Sequence, residues 1–275
     1  MHEGFLVYNG FRYLKVATFL CVVAIALYAW DVPPDEPNGG TWLGYGLGGI
    51  GAGLIVWLMW FGMRKRKYGT IGKLQGWLSA HVYLGASLII IATLHTGFQF
   101  GWNLHTLAYG LMMVVIGSGF FGIYAYARYP QLMTQNRRDE TADDIYNEIG
   151  ELDRECRQVA SDLPDEVVSL VLASCSETRI GGSVIRQLSG TDPNCATARA
   201  FDKVREMAAS AAVEHGTNMR KLVTLLAMKA THLRTMRREV QLKALMEIWL
   251  YFHVPLSFAL LAALVGHILS VFYYW

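Results

Sequence analysis

Residues 77–98 read WLSAHVYLGASLIIIATLHTGF, an apolar run with two histidines and no Asp, Glu, Lys or Arg. At a rise of about 1.5 Å per residue, such a run can cross a hydrocarbon core of about 30 Å as an α-helix. The chain contains five runs of this kind, at residues 13–30, 42–63, 77–98, 104–126 and 248–275. The sequence therefore predicts an all-α membrane protein with five transmembrane helices.

Charge is concentrated between the fourth and fifth runs. The chain has 24 Lys+Arg and 22 Asp+Glu, a formal net charge of +2, and only 17% charged residues, against about 25% in soluble domains. Residues 129–246 hold 33 of these 46 charges. This excludes a wholly soluble globule, a disordered chain, a disulfide scaffold and a nucleic-acid binder driven by net charge. It predicts four transmembrane helices in 1–128, a soluble insert in 129–246 and the last transmembrane helix in 247–275.

The loops between the runs predict the orientation of the chain. Residues 31–41 contain three acids and no basic residue, and residues 96–103 carry no charge. Five basic residues lie at 64–67 and at Lys73, and more open the insert from Arg128 onward. Because basic loops remain on the cytoplasmic side, we expect a multi-pass protein of a bacterial-type inner membrane. Its N-terminus and insert are expected in the cytoplasm and its C-terminus in the periplasm.

Four histidines lie deep within two of the runs. His81 and His95 are 14 residues apart in the third run, and His253 and His267 are 14 apart in the fifth. Fourteen residues make four turns of a helix wound at about 3.5 residues per turn, so both members of a pair face the same way, about 21 Å apart. The two helices run in the same direction, since one span and the insert separate them. His81 and His253 are therefore expected near the cytoplasmic face, and His95 and His267 near the outer face.

This arrangement favours two haems, each held by two histidines. Haem iron accepts a neutral imidazole on each axial side, and two parallel helices can hold a flat macrocycle between them. We expect His81 and His253 to ligate the iron of a cytoplasmic-side haem b, and His95 and His267 that of an outer-side haem b. A single intramembrane histidine is more simply a buried residue bonded to a neighbouring helix. A proton relay or a zinc site would include acidic residues at mid-membrane, which these runs lack.

The two His-x13-His pairs resemble those of the transmembrane di-haem b-type cytochromes. These include the cytochrome b of quinol:cytochrome c oxidoreductases and the ferric-reductase-like membrane domains. The resemblance covers residues 78–128 and 248–275 and implies the haem number and ligands rather than the substrate. The long hydrophilic insert departs from both groups. No flavin- or nicotinamide-binding domain follows the last run, so a self-sufficient ferric reductase or oxidase is not expected.

Further candidate residues lie near the predicted haems. Arg64, Arg66, Lys73 and Arg128 could pair with haem propionates on the cytoplasmic side, or serve only as topology signals. His105, at the outer start of the fourth run, could be a quinone or proton-transfer residue, a propionate donor or a plain interfacial histidine. Glycine-rich faces of the second and fourth runs fit either helix packing or clearance for a macrocycle.

The insert reads as helical and carries no recognisable catalytic motif. Helices are predicted at 139–162, 164–174, 194–214 and 218–238, and the last can continue into the fifth run. The three cysteines of the insert lack the close pairs typical of iron–sulfur and zinc sites, so reduced thiols are expected. His215 and His232 are expected on helix surfaces. The insert is therefore predicted to be a docking cap. Its cysteines are Cys156, Cys175 and Cys195.

These observations predict the cytochrome b subunit of a membrane oxidoreductase rather than a complete enzyme. Quinone is the expected mobile substrate, and membrane lipid surrounds the spans. A partner subunit carrying an iron–sulfur, flavin or c-type haem group would exchange electrons with the other end, and no nucleic acid is involved. The main alternative is a non-catalytic, haem-containing membrane anchor that recruits a soluble enzyme through the insert. A histidine-based transporter is a third, weaker alternative.

Overall fold

A computed structural model of the protein describes residues 4–33, 36–64, 74–138, 140–210 and 215–273, with the side chains of all of these except 61–64 and 210. All regular structure within these ranges is helical. A 3₁₀ turn at Phe5–Val7 precedes the α-helices. The helices are α1 (Tyr8–Trp30), α2 (Trp42–Arg64), α3 (Leu74–Thr96), α4 (Leu104–Arg137), α5 (Ala142–Ala160), α6 (Asp165–Glu177), α7 (Val184–Ser189), α8 (Ala196–Ser210) and α9 (Gly216–Tyr273).

Five of these helices, α1 to α4 and α9, are long and apolar enough to cross a membrane. Many of their large apolar side chains are exposed, including Phe19 at 70% and Phe258 at 57%. Lipid accepts such surfaces, whereas a soluble monomer rarely exposes them over several helices. The predicted all-α chain with five potential spans is confirmed, and it fits a multi-pass membrane protein. That the spans enclose two haems stays a prediction.

The chain forms two compact units. The span unit comprises Met1–Phe121 and Leu250–Trp275, and the insert unit comprises Gly122–Trp249. The boundaries fall inside α4 and α9, since both helices continue from one unit into the other. α4 contains Pro130 and α9 contains Pro255. The predicted continuation of the last insert helix into the fifth span is confirmed.

In the span unit, α3 packs against both α1 and α2. One apolar cluster joins Ala24, Leu43, Leu47, Ile91 and Leu94. The hydroxyl of Thr41 accepts a hydrogen bond from the Gly44 amide at 3.0 Å and so caps the start of α2. The start of α2 and the buried face of α3 are thereby held side by side.

α3 ends at Gly97, whose φ of +57° lies in the left-handed region. A Cβ there would approach the carbonyl oxygen of Pro37 closely. The loop before α2 therefore lies against the end of α3.

The insert unit has its own apolar core, built from α5, α6, α8 and the first part of α9. α5 begins with a capping box, in which the Thr141 hydroxyl accepts from the Asp144 amide while the Asp144 carboxylate accepts from the Thr141 amide. The helices expected at 139–162, 164–174 and 194–214 correspond to α5, α6 and α8. The short helix α7 lies between the second and third predicted helices and has no counterpart among them.

Candidate functional site

The structure brings the four span histidines together in two pairs. The ring centroids of His81 and His253 are 6.4 Å apart, and those of His95 and His267 are 6.0 Å apart. The ring planes are steeply inclined to each other in both pairs, at 66° and 86°. We call the His81–His253 pair the first level and the His95–His267 pair the second level. Each level combines one histidine of α3 with one of α9.

A layer of buried apolar side chains separates the two levels. Leu88 lies midway between the histidines of α3, and Leu260 lies midway between those of α9. Both are almost fully buried, in a cluster with Ile55, Leu58 and Met112. The fourteen-residue spacing puts about 21 Å of helix between the levels. The histidines thus form two distinct polar sites rather than one continuous polar pathway.

α2 places a backbone carbonyl beside each of the α3 histidines. Nδ1 of His95 lies 2.7 Å from the carbonyl oxygen of Gly44 and donates to it. The backbone carbonyl of Leu58 lies near the imidazole of His81. Gly44 and Leu58 are themselves 14 residues apart. One helix therefore orients both rings through its backbone, at the same interval as the histidines.

α4 supplies the partners of the α9 histidines. The hydroxyl of Ser118 donates to the Val115 carbonyl at 2.7 Å, so it accepts from Nδ1 of His253, also at 2.7 Å. His267 meets a third imidazole, since its Nδ1 lies 2.5 Å from Nδ1 of His105. The two levels therefore differ on this side, with a hydroxyl at the first level and an imidazole at the second.

These contacts determine which nitrogen of a ring can bind a metal. A neutral imidazole that donates through Nδ1 keeps its lone pair on Nε2. Metal-bound histidines in proteins almost always donate their other ring N–H to a carbonyl, a carboxylate or water. His95 and His253 donate through Nδ1, and His267 can do so to His105. The hydrogen bonding is thus that of histidines oriented for a metal on Nε2.

The distances within the pairs fit one metal ion between the two rings of each level. Two metal–nitrogen bonds of about 2 Å, plus the distance from each nitrogen to its ring centre, put the centroids of opposed imidazoles about 6 Å apart. The observed separations of 6.4 and 6.0 Å meet this requirement. The donor set of two neutral imidazoles per level fits axial ligation of haem iron.

The glycine-rich face of α2 makes room for one of these rings. A Cβ added to Gly48 would lie 2.7 Å from Cε1 of His95, closer than side chains normally approach, whereas one added to Gly49 would meet nothing within 4 Å. On α4, a Cβ on Gly119 would lie 3.8 Å from Cε1 of His253, an ordinary contact. Gly48 is therefore required by the imidazole itself, and the other glycines of α2 are not explained in this way.

The remaining predicted site residues have mixed outcomes. Arg66 and Lys73 lie outside the described residues, as does the side chain of Arg64. Their contact with haem propionates therefore stays a prediction. Arg128 is exposed on α4, and its role also stays a prediction. His105 is exposed and touches His267 directly, so the structure places it at the second level.

Sequence reasoning missed the residues that orient the rings. Gly44 and Leu58 act through backbone carbonyls, which no side-chain motif reveals, although their interval of 14 equals that of the histidines. Ser118 offered no signal beyond its place in an apolar run.

The three cysteines of the insert are free thiols, as is Cys21. Burial raises the pKa of Cys156 to about 12. Burial also acts to raise the pKa of Cys195, but a hydrogen bond from Arg237 at 3.3 Å and the nearby amides of α8 outweigh it, so that pKa is lowered. Among the described residues no group of three metal-ligating side chains includes a cysteine.

Comparison of the chain with protein-family models, curated proteins and solved structures found no match. The proposal for function therefore rests on the geometry of the two histidine levels.

Proposed function

We propose that the protein is a di-haem cytochrome b subunit that carries electrons across a membrane between a quinone pool and a partner redox protein. The observation that carries the proposal is the pair of histidine levels, with ring centroids 6.4 and 6.0 Å apart on two helices that can cross a membrane. His81 and His253 would ligate the iron of one haem b, and His95 and His267 that of the other.

The composition of each level supports haem over a zinc ion. Protein zinc sites have three or four protein ligands that converge on one ion. The first level offers two histidines, and at the second level His105 contacts His267 but forms no group of three ligand atoms with it and His95. Among the described residues, the only group of three metal-ligating side chains within 4.8 Å of one another lies in the insert. A haem brings four nitrogen ligands of its own and needs only two axial imidazoles from the protein. When bound, it supplies a one-electron redox centre.

The chain's own residues hold and insulate these sites. Gly44, Leu58 and Ser118 orient the imidazoles, while Leu88 and Leu260 exclude water between the levels. Two histidines would hold each haem, and the chemistry supplied there would be electron transfer. A charge that crosses the layer works with or against the membrane potential, at about 2.3 kcal/mol per 100 mV.

The distribution of basic residues supports a topology for this function. On this basis His81 and His253 would face the cytoplasm, the C-terminus would lie in the periplasm and the chain would belong to a bacterial-type inner membrane. Arg64, Arg66, Lys73 and Arg128 are the candidates for holding the cytoplasmic propionates. Quinone would react at one level, and an iron–sulfur, flavin or c-type haem subunit would exchange electrons at the other.

A haem-containing membrane anchor is the second candidate. The observation that favours it is the insert unit, which has a core of its own and could recruit a soluble enzyme. In that case the haems would be structural, and quinol would not reduce them in the assembled complex.

Visible spectroscopy with redox titration of the purified full chain tests the proposal. We expect two low-spin b-type transitions that respond to quinol. His81→Ala with His253→Ala should remove one transition, and His95→Ala with His267→Ala should remove the other. His215→Ala, outside the spans, is the control and should keep both. Absence of haem from the wild type, or haem unchanged in both double variants, would refute the ligand assignment.

A further inference from the structure

Three metal-ligating side chains converge in the insert unit, and one of them, His232, is 84 positions beyond the nearer of the other two along the chain. Glu140 follows α4, Glu148 lies on α5 and His232 lies on α9. One ligand atom from each lies within 4.8 Å of the other two. Nε2 of His232 and a carboxylate oxygen of Glu148 are 3.3 Å apart. None of the three belongs to the histidine levels of the spans.

The backbone around these residues holds them in place. α5 packs on α9 through Ile145, Ile149 and Leu233, which sets the distance between Glu148 and His232. The amide of Glu140 donates to the Arg137 carbonyl at 3.1 Å. The capping box that starts α5 begins at the very next residue. Three elements are therefore arranged before any ligand binds.

Glu140 and Glu148 lie close together, and among the described residues neither is ion-paired to a Lys or Arg. Four acids of the insert are ion-paired with Lys or Arg, including Asp153 with Lys229 and Glu239 with Arg137. Among the ion pairs of the described residues, none joins Glu140 or Glu148 to a Lys or Arg, and the imidazole of His232 is the only basic partner. Two carboxylates so close together repel each other unless a cation lies between them.

We infer that Glu140, Glu148 and His232 form a binding site for a divalent transition-metal ion, Zn²⁺ by the chemistry of its ligands. The 3.3 Å between Nε2 and the carboxylate oxygen is about the separation of two ligand atoms in a tetrahedral site with bonds of about 2 Å. Rotation of the exposed Glu140 side chain can bring the third ligand into range. The imidazole disfavours Ca²⁺ and Mg²⁺, which prefer oxygen ligands.

The bound ion would join the start of the insert to its last helix. Glu140 is three residues beyond the end of α4, whereas His232 lies on the helix that continues into the fifth span. An ion that binds all three residues stabilises the folded insert, since a preformed site does not exist in the unfolded chain. This site is independent of the proposed haems, and either could exist without the other.

Zinc titration of the full-length protein tests the inference. Protein purified in detergent is stripped with a chelator, and Zn²⁺ binding is followed by calorimetry and by metal analysis after dialysis. The variants are His232→Ala and Glu148→Gln. The matched controls are His215→Ala, another insert histidine, and Glu177→Gln, which removes one exposed carboxylate elsewhere. Circular dichroism verifies that each variant keeps its helical content.

We expect wild type and both controls to bind one zinc ion per chain more than the His232→Ala variant binds. Glu148→Gln should bind that ion at least about 100-fold more weakly, since loss of even an indirect ligand partner weakens metal affinity by about 10–100-fold. Zinc should also raise the unfolding temperature of wild type but not of His232→Ala. Equal zinc stoichiometry and affinity in wild type and His232→Ala would overturn the inference. A loss of binding as large in the controls would overturn it as well.

Discussion

In the insert unit the buried Lys229 is matched by a carboxylate, whereas in the span unit the half-buried histidines form hydrogen bonds with groups other than carboxylates. Lys229, only 1% exposed, is ion-paired to Asp153 and donates to the carbonyl and hydroxyl oxygens of Ser174 at 2.9 and 3.1 Å. The Ser174 hydroxyl is also hydrogen-bonded to the hydroxyl of Thr197, at 2.8 Å. The span histidines instead bond to carbonyls, a serine hydroxyl and another imidazole.

This difference distinguishes polar side chains that stabilise the fold from polar side chains that are available to bind a ligand. The Lys229 network is satisfied within the insert, so its role is complete without any added group. In the spans, helix packing alone would be served by leucine, because polar groups are costly in an apolar surrounding and usually mark function there. Helix packing does not require two pairs of imidazoles whose ring centroids are about 6 Å apart, the distance expected across a shared metal ion. Function is therefore expected in the spans.

Asp153→Ala should have the largest effect and should be confined to the insert. It leaves the ammonium of Lys229 buried without its carboxylate, which costs about 3–5 kcal/mol. Glu177→Gln breaks the exposed pair with Arg199 and should cost about 0–1 kcal/mol. Urea unfolding followed by circular dichroism measures the free energies of unfolding. Equal losses in the two variants would contradict the comparison, as would haem loss at low urea in Asp153→Ala.

Gly48→Ala should break the second level while sparing the first. The added Cβ would lie 2.7 Å from the His95 ring, and overpacking of this kind costs about 1–3 kcal/mol. We expect loss of the redox transition that His95→Ala also removes. Gly49→Ala is the matched control, since its Cβ meets nothing within 4 Å. The same haem content and potentials in both variants would contradict the role of Gly48.

Ser118→Ala and His105→Leu should each act on one level only. Each removes the hydrogen-bond partner of one α9 histidine, and such losses weaken metal binding by about 10–100-fold. Ser118→Ala should alter the spectrum and potential of the haem proposed at His81 and His253, and His105→Leu those of the haem proposed at the other level. Each variant is the control of the other in redox titration. A shift of both transitions in either variant would show that the levels are not separate.

Thr141→Ala should have the smallest effect, a loss of about 1 kcal/mol from the insert through the missing helix cap. Hydrogen bonds from Thr141 lower the pKa of Asp144. This stabilisation is present above the ordinary Asp pKa and is lost as the pH falls through the lowered value. Urea unfolding at neutral and acid pH should show the difference between wild type and Thr141→Ala shrinking in acid. A difference that grows in acid would contradict the capping box.

The sequence predicts most of the helices because each has a local signal. Apolar length marks the spans, and charge density marks the insert. The histidine interval, together with the parallel direction of the third and fifth spans, predicts both pairs on matched levels. In the structure the ring centroids of each pair are about 6 Å apart. The helix α7 was missed, because its six residues are too few to show a period.

The partners of the site residues could not be predicted in the same way. His232 is separated from Glu148 by 84 positions, and their approach depends on how α5 packs on α9. The sequence predicts His232 as a surface helix residue, and it lies on a helix but half-buried against an acidic pair. The charge pattern of the insert alone gave no reason to connect these residues.

The sequence by itself determined that the chain is helical, that five helices can cross a membrane and that four histidines repeat at one interval. These are local properties, set by apolarity and helical period. Only the tertiary structure decided that Gly44, Leu58 and Ser118 orient the rings and that His105 meets His267. Backbone carbonyls are alike at every residue, so the choice among them depends on the rotation and crossing of helices, which side-chain identity does not encode locally.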